Sequence, residues 1–174
     1  MLDILFKRRS IRRYKSKAIE REKVDSILKA ALLSPSSRGI RPWEFIVVTD
    51  RAVLYKLSQC RKHGSAFLKD APLGIVVLAH ENESDVWVED ASIASIIMQL
   101  EAQALGLGSC WIQIRNRMYD DTKTSEKYIR DVLSIPDGIR VESIISIGYP
   151  DEEKSPHSED ELDYDKIYIN RYGN

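Results

Sequence analysis

The sequence predicts a single mixed domain, an α/β or α+β sandwich with four or five strands in its sheet. Two observations carry this. Stretches with apolar residues at helical spacing alternate with short β-branched runs, and Ser, Gly and Pro mark the junctions between them. The 174 residues suffice to bury one substantial core, and no repeat, low-complexity tract or Gly/Ser linker divides them.

The elements follow in order. Leu2 to Arg9 is a candidate short helix. Val24, Ile27, Leu28, Ala31 and Leu32 fall at i, i+3, i+4, i+7 and i+8, one face of a helix from about Glu20 to Leu33. Pro35 ends it, since proline lacks the N–H and its ring blocks the preceding turn. "SPSSRGIRP" is then a loop, and "WEFIVVT", Trp43 to Thr49, a strand. Asp50 is suited to cap a helix running through Cys60. The continuous apolar run "LGIVVLA", Leu73 to Ala79, predicts a strand covered on both faces. From about Val86 to Leu105 comes the longest helix. It is apolar or small on nearly every side, which places it in the middle of the molecule or at a subunit interface. Gly106 ends it. "SCWIQI" (Ser109 to Ile114) and "ESIISIGYP" (Glu142 to Pro150) read as strands, with a helix from Ser125 to Leu133 between them, stopped by Pro136. The remaining segment has no clear period, yet Tyr164, Ile167, Tyr168, Ile169 and Tyr172 are too apolar for a free tail. It is expected to lie along a surface, that of a partner subunit.

Charge narrows the function. The net charge of −1 gives no global attraction to DNA or acidic lipid. The distribution is uneven: Met1 to Lys17 holds seven basic residues and one acid, and Asp151 to Asn174 eight acids and three basic residues. "FKRRSIRRY", Phe6 to Tyr14, is the densest basic run. A nucleic-acid backbone, a membrane surface and a small phosphate are each possible anions for it, and such a run standing alone is most often a solvated surface. Cys60 and Cys110 are fifty residues apart, without a CxxC pair or a His at ligand spacing, so neither a disulfide framework nor a structural zinc is expected and a reducing cytosol fits. No apolar run approaches the ~20 residues of a membrane span, and the amino terminus lacks the pattern of a signal peptide. The expectation is a cytoplasmic protein binding neither membrane nor nucleic acid.

No Walker sequence, GxSxG elbow or HExxH motif is present. His63, His80 and His157 are scattered, so side-chain nucleophilic catalysis and a metal site are not expected. Gly106-x-Gly108 is not a dinucleotide-binding turn, because a helix precedes it and a strand follows, the reverse of the required order. An enzyme of this composition relies on a bound cofactor.

Four blocks then carry a resemblance. "RRSIRRY" at 8–14, "SPSSRGIRPWEFIVV" at 34–48, "ALGLGSCWI" at 104–112 and "IGYPDEEKSP" at 147–156 resemble, in order, the signatures of the nitroreductase family of FMN-dependent, NAD(P)H-oxidising flavoproteins. The resemblance implies an α+β fold: a nitroreductase-like three-layer α/β/α sandwich, its mixed, mostly antiparallel sheet built around a long central helix. On this resemblance residues 1–174 are expected to form one such domain, with about 151–174 wrapping the partner subunit. It further implies a homodimer holding FMN between protomers, with hydride passing from NAD(P)H through flavin N5 to a nitroaromatic or quinone in ping-pong order. No side chain is then catalytic.

By the same resemblance, Arg8 and Ser10 meet the phosphate and ribityl chain, with Arg9 beside them. Two guanidinium forks and a hydroxyl suit a dianionic phosphate. Arg12 matches the family's cation at the flavin N1–C2=O edge, where reduced flavin carries negative charge. Pro35, Ser36, Ser37 and Gly39 match the loop that covers the partner's flavin ring. Trp111, Ile112 and Gln113 match the strand whose main-chain N–H reaches N5. Trp43 is read as a packing anchor, Cys110 as buried packing and Arg13 as surface.

The chain departs from the family at Gly39, often Asn, at Arg41, often Gln, and at Gln113, where Gly is usual. The C-terminal region is acidic where a phosphate-binding Lys or Arg is expected, leaving Lys154, Arg171, or Arg9 with Arg41 as replacements. Rival readings are a flavin-binding protein without turnover, and a nucleic-acid binder using the basic arm.

Overall fold

The computed structural model describes residues 1–173. Nine regular elements follow the expected order: α1 (Leu2–Lys7), α2 (Arg21–Leu32), β1 (Trp43–Val48), α3 (Arg51–Ser58), β2 (Leu73–His80), α4 (Trp87–Ala104), β3 (Gly108–Gln113), α5 (Ser125–Leu133) and β4 (Ile139–Gly148). The four strands form one sheet in the order β1-β2-β4-β3, antiparallel at every pairing. The parallel component is a single isolated bridge between Ser10 and Ser109.

The sheet is covered on both faces, which gives three layers. On one face Leu54 and Leu57 of α3 and Ile129 of α5 pack with Val76, Ile112 and Ile144. On the other, Ile27 and Ala31 of α2 and Ala91, Met98 and Ala102 of α4 pack with Ile75, Val77, Ile145 and Ile147. β2 is buried along seven of its eight residues, as its continuous apolar run requires. Each fully buried Ile or Leu contributes roughly 1.5–3 kcal/mol, so this double core dominates stability.

Helix ends follow local chemistry. Asp50 caps α3 by accepting from the Val53 N–H at 2.9 Å, and Thr124 caps α5 through Lys127 at 3.1 Å. α4 closes at Leu105, followed by Gly106 at φ 74°, a left-handed turn that glycine adopts without a steric cost. α5 departs in one detail: Ser134, at φ 56°, ends it before Pro136 is reached. Trp43 is buried and Arg13 exposed, as read. Beyond Pro156 the chain makes two short 3₁₀ turns, Glu159–Glu161 and Tyr164–Lys166, and Tyr164, Ile167, Tyr168, Ile169 and Tyr172 all stay exposed on this protomer. Among the described residues no helix is long and apolar enough to cross a membrane.

Candidate active site

The basic segment leaves α1 at Arg8, whose φ/ψ of −66°/118° is extended, so successive side chains alternate in direction. It crosses the end of the sheet at β3, where the Ile11 N–H donates to the Ser109 carbonyl at 3.0 Å. Gly108 makes this crossing possible, since a Cβ there would stand 2.8 Å from the Ile11 side chain. Tyr14 fastens the far end. Its hydroxyl donates to the Ile11 carbonyl at 2.6 Å and meets Ser146 Oγ at 2.7 Å, and burial pushes the phenol above its usual range.

Alternation sorts the cations. The Arg12 guanidinium stands 5.9 Å from the centre of the Phe67 ring, and Lys154 donates to the Ser10 carbonyl at 2.7 Å. Burial pushes the Cys110 thiol up, while the charges of Arg12, Lys154 and Arg8 and the nearby Ser10 hydroxyl pull it back. Cys110 is 2% exposed, the buried packing residue its sequence context suggests. Arg9 stands apart: its guanidinium reaches the Ser155 carbonyl and lines, with Lys7, Gln103 and Lys154, a cavity of about 500 Å³.

Among the described residues no carboxylate lies within ion-pair distance of Arg8, Arg9, Arg12 or Arg13. Glu152 instead binds the backbone of this segment. Its Oε1 accepts from the backbone N–H groups of Arg12 and Arg13 at 2.5 and 3.2 Å, and the Arg12 N–H in particular holds this carboxyl below its ordinary range. Its other oxygen stays 3.9 Å from Lys154. With one carboxylate, Glu152, among several cations, the cluster keeps an excess of positive charge, which favours binding of an anion.

β3 lies at the sheet edge. Ser109 gives its carbonyl to Ile11 and Gln113 gives its own to Arg61 Nη1 at 3.3 Å, both away from β4. By antiparallel alternation the backbone N–H groups of Trp111 and Gln113 therefore face the open edge, whereas those of Cys110 and Ile112 face β4. This separates Ile112 from its two neighbours as a main-chain donor.

The Pro35–Gly39 loop is held by a buried carboxylate. Asp90, in the first turn of α4 and 2% exposed, accepts from the Ser37 N–H at 2.8 Å and from Ser84 Oγ at 3.0 Å. Ser36 Oγ accepts from the Arg41 N–H at 2.9 Å, and Arg38, Gly39 and Arg41 all have positive φ. Arg38 pairs with Asp85 at 2.7 Å. Asp90 and Glu152 escaped the sequence reading. For Asp90 there was a signal, a carboxylate inside an apolar helix, which must find donors when buried.

The loop and the cations do not meet in one protomer. Ser37 is tied to Asp90 near the start of α4, and Arg9 shares a cavity with Gln103 near its end. Those two α4 residues are about 20 Å apart along the axis.

A sequence model of the Nitroreductase family matches residues 5–62 and 58–149. A solved FMN-dependent nitroreductase from Clostridium difficile R20291 is 58% identical, with a TM-score of 0.98 over 99% of this chain and 100% of that one. A protein of Archaeoglobus fulgidus named "Putative NADH dehydrogenase/NAD(P)H nitroreductase" is 38% identical over 98% of each chain. One of the same name from Methanothermobacter thermautotrophicus is 36% identical over 99% of this chain and 87% of its own. The chain belongs to the nitroreductase family, a family of oxidoreductases, and has its fold.

Proposed function

We propose that this chain is an FMN-dependent oxidoreductase. As a homodimer it carries a hydride from NAD(P)H to an electron-poor small molecule, such as a nitroaromatic or a quinone, in ping-pong order. The observation that carries this reading is the Lys154–Ser10 contact, which brings the segment after β4 onto the basic segment, where among the described residues Arg8 and Arg12 have no carboxylate within ion-pair distance and Glu152 stands 3.9 Å from Lys154. The phosphate of FMN is a dianion of matching charge, and its ring supplies the hydride acceptor. Arg8, Ser10 and Lys154 bind the phosphate, so Lys154 takes the part of the family's C-terminal cation. Arg12 stands at the ring edge where negative charge develops on reduction. The outward N–H groups of Trp111 and Gln113 donate toward N5.

Distance supports the dimer. The loop Pro35–Gly39 and the arginine segment lie toward opposite ends of α4, and two antiparallel α4 helices related by a two-fold axis bring the loop of one protomer to the cations of the other. Ile93 and Ile96 of α4, 36% and 38% exposed, and the apolar tail within 151–174 supply the surface such a pairing buries.

The test is an anaerobic titration of the FMN-loaded protein with NADH and with NADPH, followed by a nitroaromatic or a quinone. Loss of flavin absorbance on adding one nicotinamide and its return on adding the acceptor support the proposal. A flavin that neither nicotinamide bleaches overturns it.

A further inference from the structure

β4 holds one residue more than its partner at a single point. Val77 pairs with Ser143 and Leu78 with Val141, so Glu142 is the extra residue of a β-bulge. Its carboxyl is buried, the residue being 3% exposed. Oε1 accepts from Gln113 Nε2 at 3.2 Å, and Gln113 Oε1 accepts in turn from the Trp111 indole N–H at 2.9 Å. The Glu142 carbonyl takes the N–H groups of both Ile114 and Arg115 at 3.1 Å. Oε2 is buried with no hydrogen-bond partner. Three elements present charge to this carboxyl: Arg115 just after β3, Glu126 on α5 and Glu89 on α4. Desolvation pushes its pKa up, Gln113 and Arg115 oppose this, and the two acids reinforce it.

Trp111 and Gln113, whose side chains complete this chain of contacts, are also the residues whose backbone N–H groups face the open edge of β3. An edge strand without a neighbour on that side is held chiefly by its ladder and its side chains. The Gln113 amide is anchored both by the buried Glu142 carboxyl at 3.2 Å and by the Arg115 carbonyl at 3.1 Å, which limits that freedom.

We propose that Glu142 is a positioning residue for the flavin: through the Gln113 amide and the Trp111 indole it fixes the outward N–H groups of β3 against ring N5, and so lowers the flavin's reduction potential. The inference rests on the reading of the β3 edge as the strand beside the ring. Oxidised N5 accepts a hydrogen bond and reduced N5–H does not, so a well-aimed donor stabilises the oxidised form. Loosening the donor raises the potential.

The midpoint potential of the FMN-loaded protein tests this by spectroelectrochemistry. Glu142→Gln keeps the accepting oxygen and retains the wild-type potential. Trp111→Phe, which removes the indole N–H together with the five-membered ring that carries it, and Glu142→Leu both raise the potential, and together they raise it no further than Glu142→Leu alone. FMN binds about two- to tenfold more weakly to either, the size of one lost hydrogen bond. Unchanged potentials in Trp111→Phe and Glu142→Leu, with FMN bound, overturn the inference and leave the function reading intact. Should Glu142→Leu not fold, Trp111→Phe decides alone. A wild-type protein that takes up no FMN overturns both.

Discussion

The Lys154 ammonium donates to the Ser10 carbonyl across 2.7 Å, tying the segment after β4 to the basic segment after α1. Among the cations that could stand in for the one expected in the acidic C-terminal region, this contact favours Lys154. Arg41 lies on the Pro35–Gly39 side of the fold, bonded through its N–H to Ser36, and Arg9 turns to Ser155.

Lys154→Met is accordingly expected to weaken FMN binding roughly tenfold or more, as befits a charge-assisted contact, and to lower thermal stability as the Ser10 carbonyl loses its donor. Titration of the apoprotein by flavin fluorescence measures the first, and a melting curve the second. Added salt narrows the difference between variant and wild type.

Gly108→Ala tests the crossing of Ile11 over β3. The new Cβ has no room against Ile11 and forces the arginine segment off the sheet, at about 1–3 kcal/mol. Chemical denaturation reads that loss. FMN affinity falls with it, because Arg8 and Ser10 ride on the same segment.

Asp90→Ala frees the loop that carries Ser36 and Ser37. It leaves the Ser37 N–H without its acceptor and costs about 1–3 kcal/mol. Hydrogen exchange should quicken at Ser37 and its neighbours, while the core strand β2 keeps its protection.

Stability depends on pH with opposite signs at two carboxyls. Glu142 is raised in the folded state by burial, so the native protein holds its proton longer than the unfolded chain. Stability is lost as pH climbs from the ordinary carboxylate range through the native value. Glu152 is lowered by the backbone N–H of Arg12, so its contribution is present at neutral pH and lost as pH falls through its native value. Glu142→Gln should flatten the decline on the alkaline side alone, read as melting temperature against pH.

Much of this was legible in the sequence because it is local. The period of Val24, Ile27, Leu28, Ala31 and Leu32 gave α2, the Asp50 cap gave α3, and the apolar run 73–79 gave a doubly covered β2. The cation cluster was legible as a motif, but its sorting was not. Alternation along an extended segment separates Arg9 from Arg8 and Arg12, and that conformation is fixed by the crossing over Gly108, a contact between residues almost a hundred positions apart. Ile112 parted from Trp111 and Gln113 for a similar reason, since edge and ladder sides of β3 depend on its pairing. The Glu142 bulge was not legible in "VESIISIG", because Glu142 and Ser143 read as the polar start of the strand and the extra residue shows only in the pairing with β2.

The central claim is that Arg8, Ser10 and Lys154 neutralise a cofactor phosphate. Comparing the affinities of the apoprotein for FMN and for riboflavin, which differ only in that phosphate, tests it most directly. FMN is expected to bind at least about a hundredfold more tightly, the worth of two charge-assisted contacts, with a preference that shrinks in Arg8→Ala. Equal affinity for the two would contradict it.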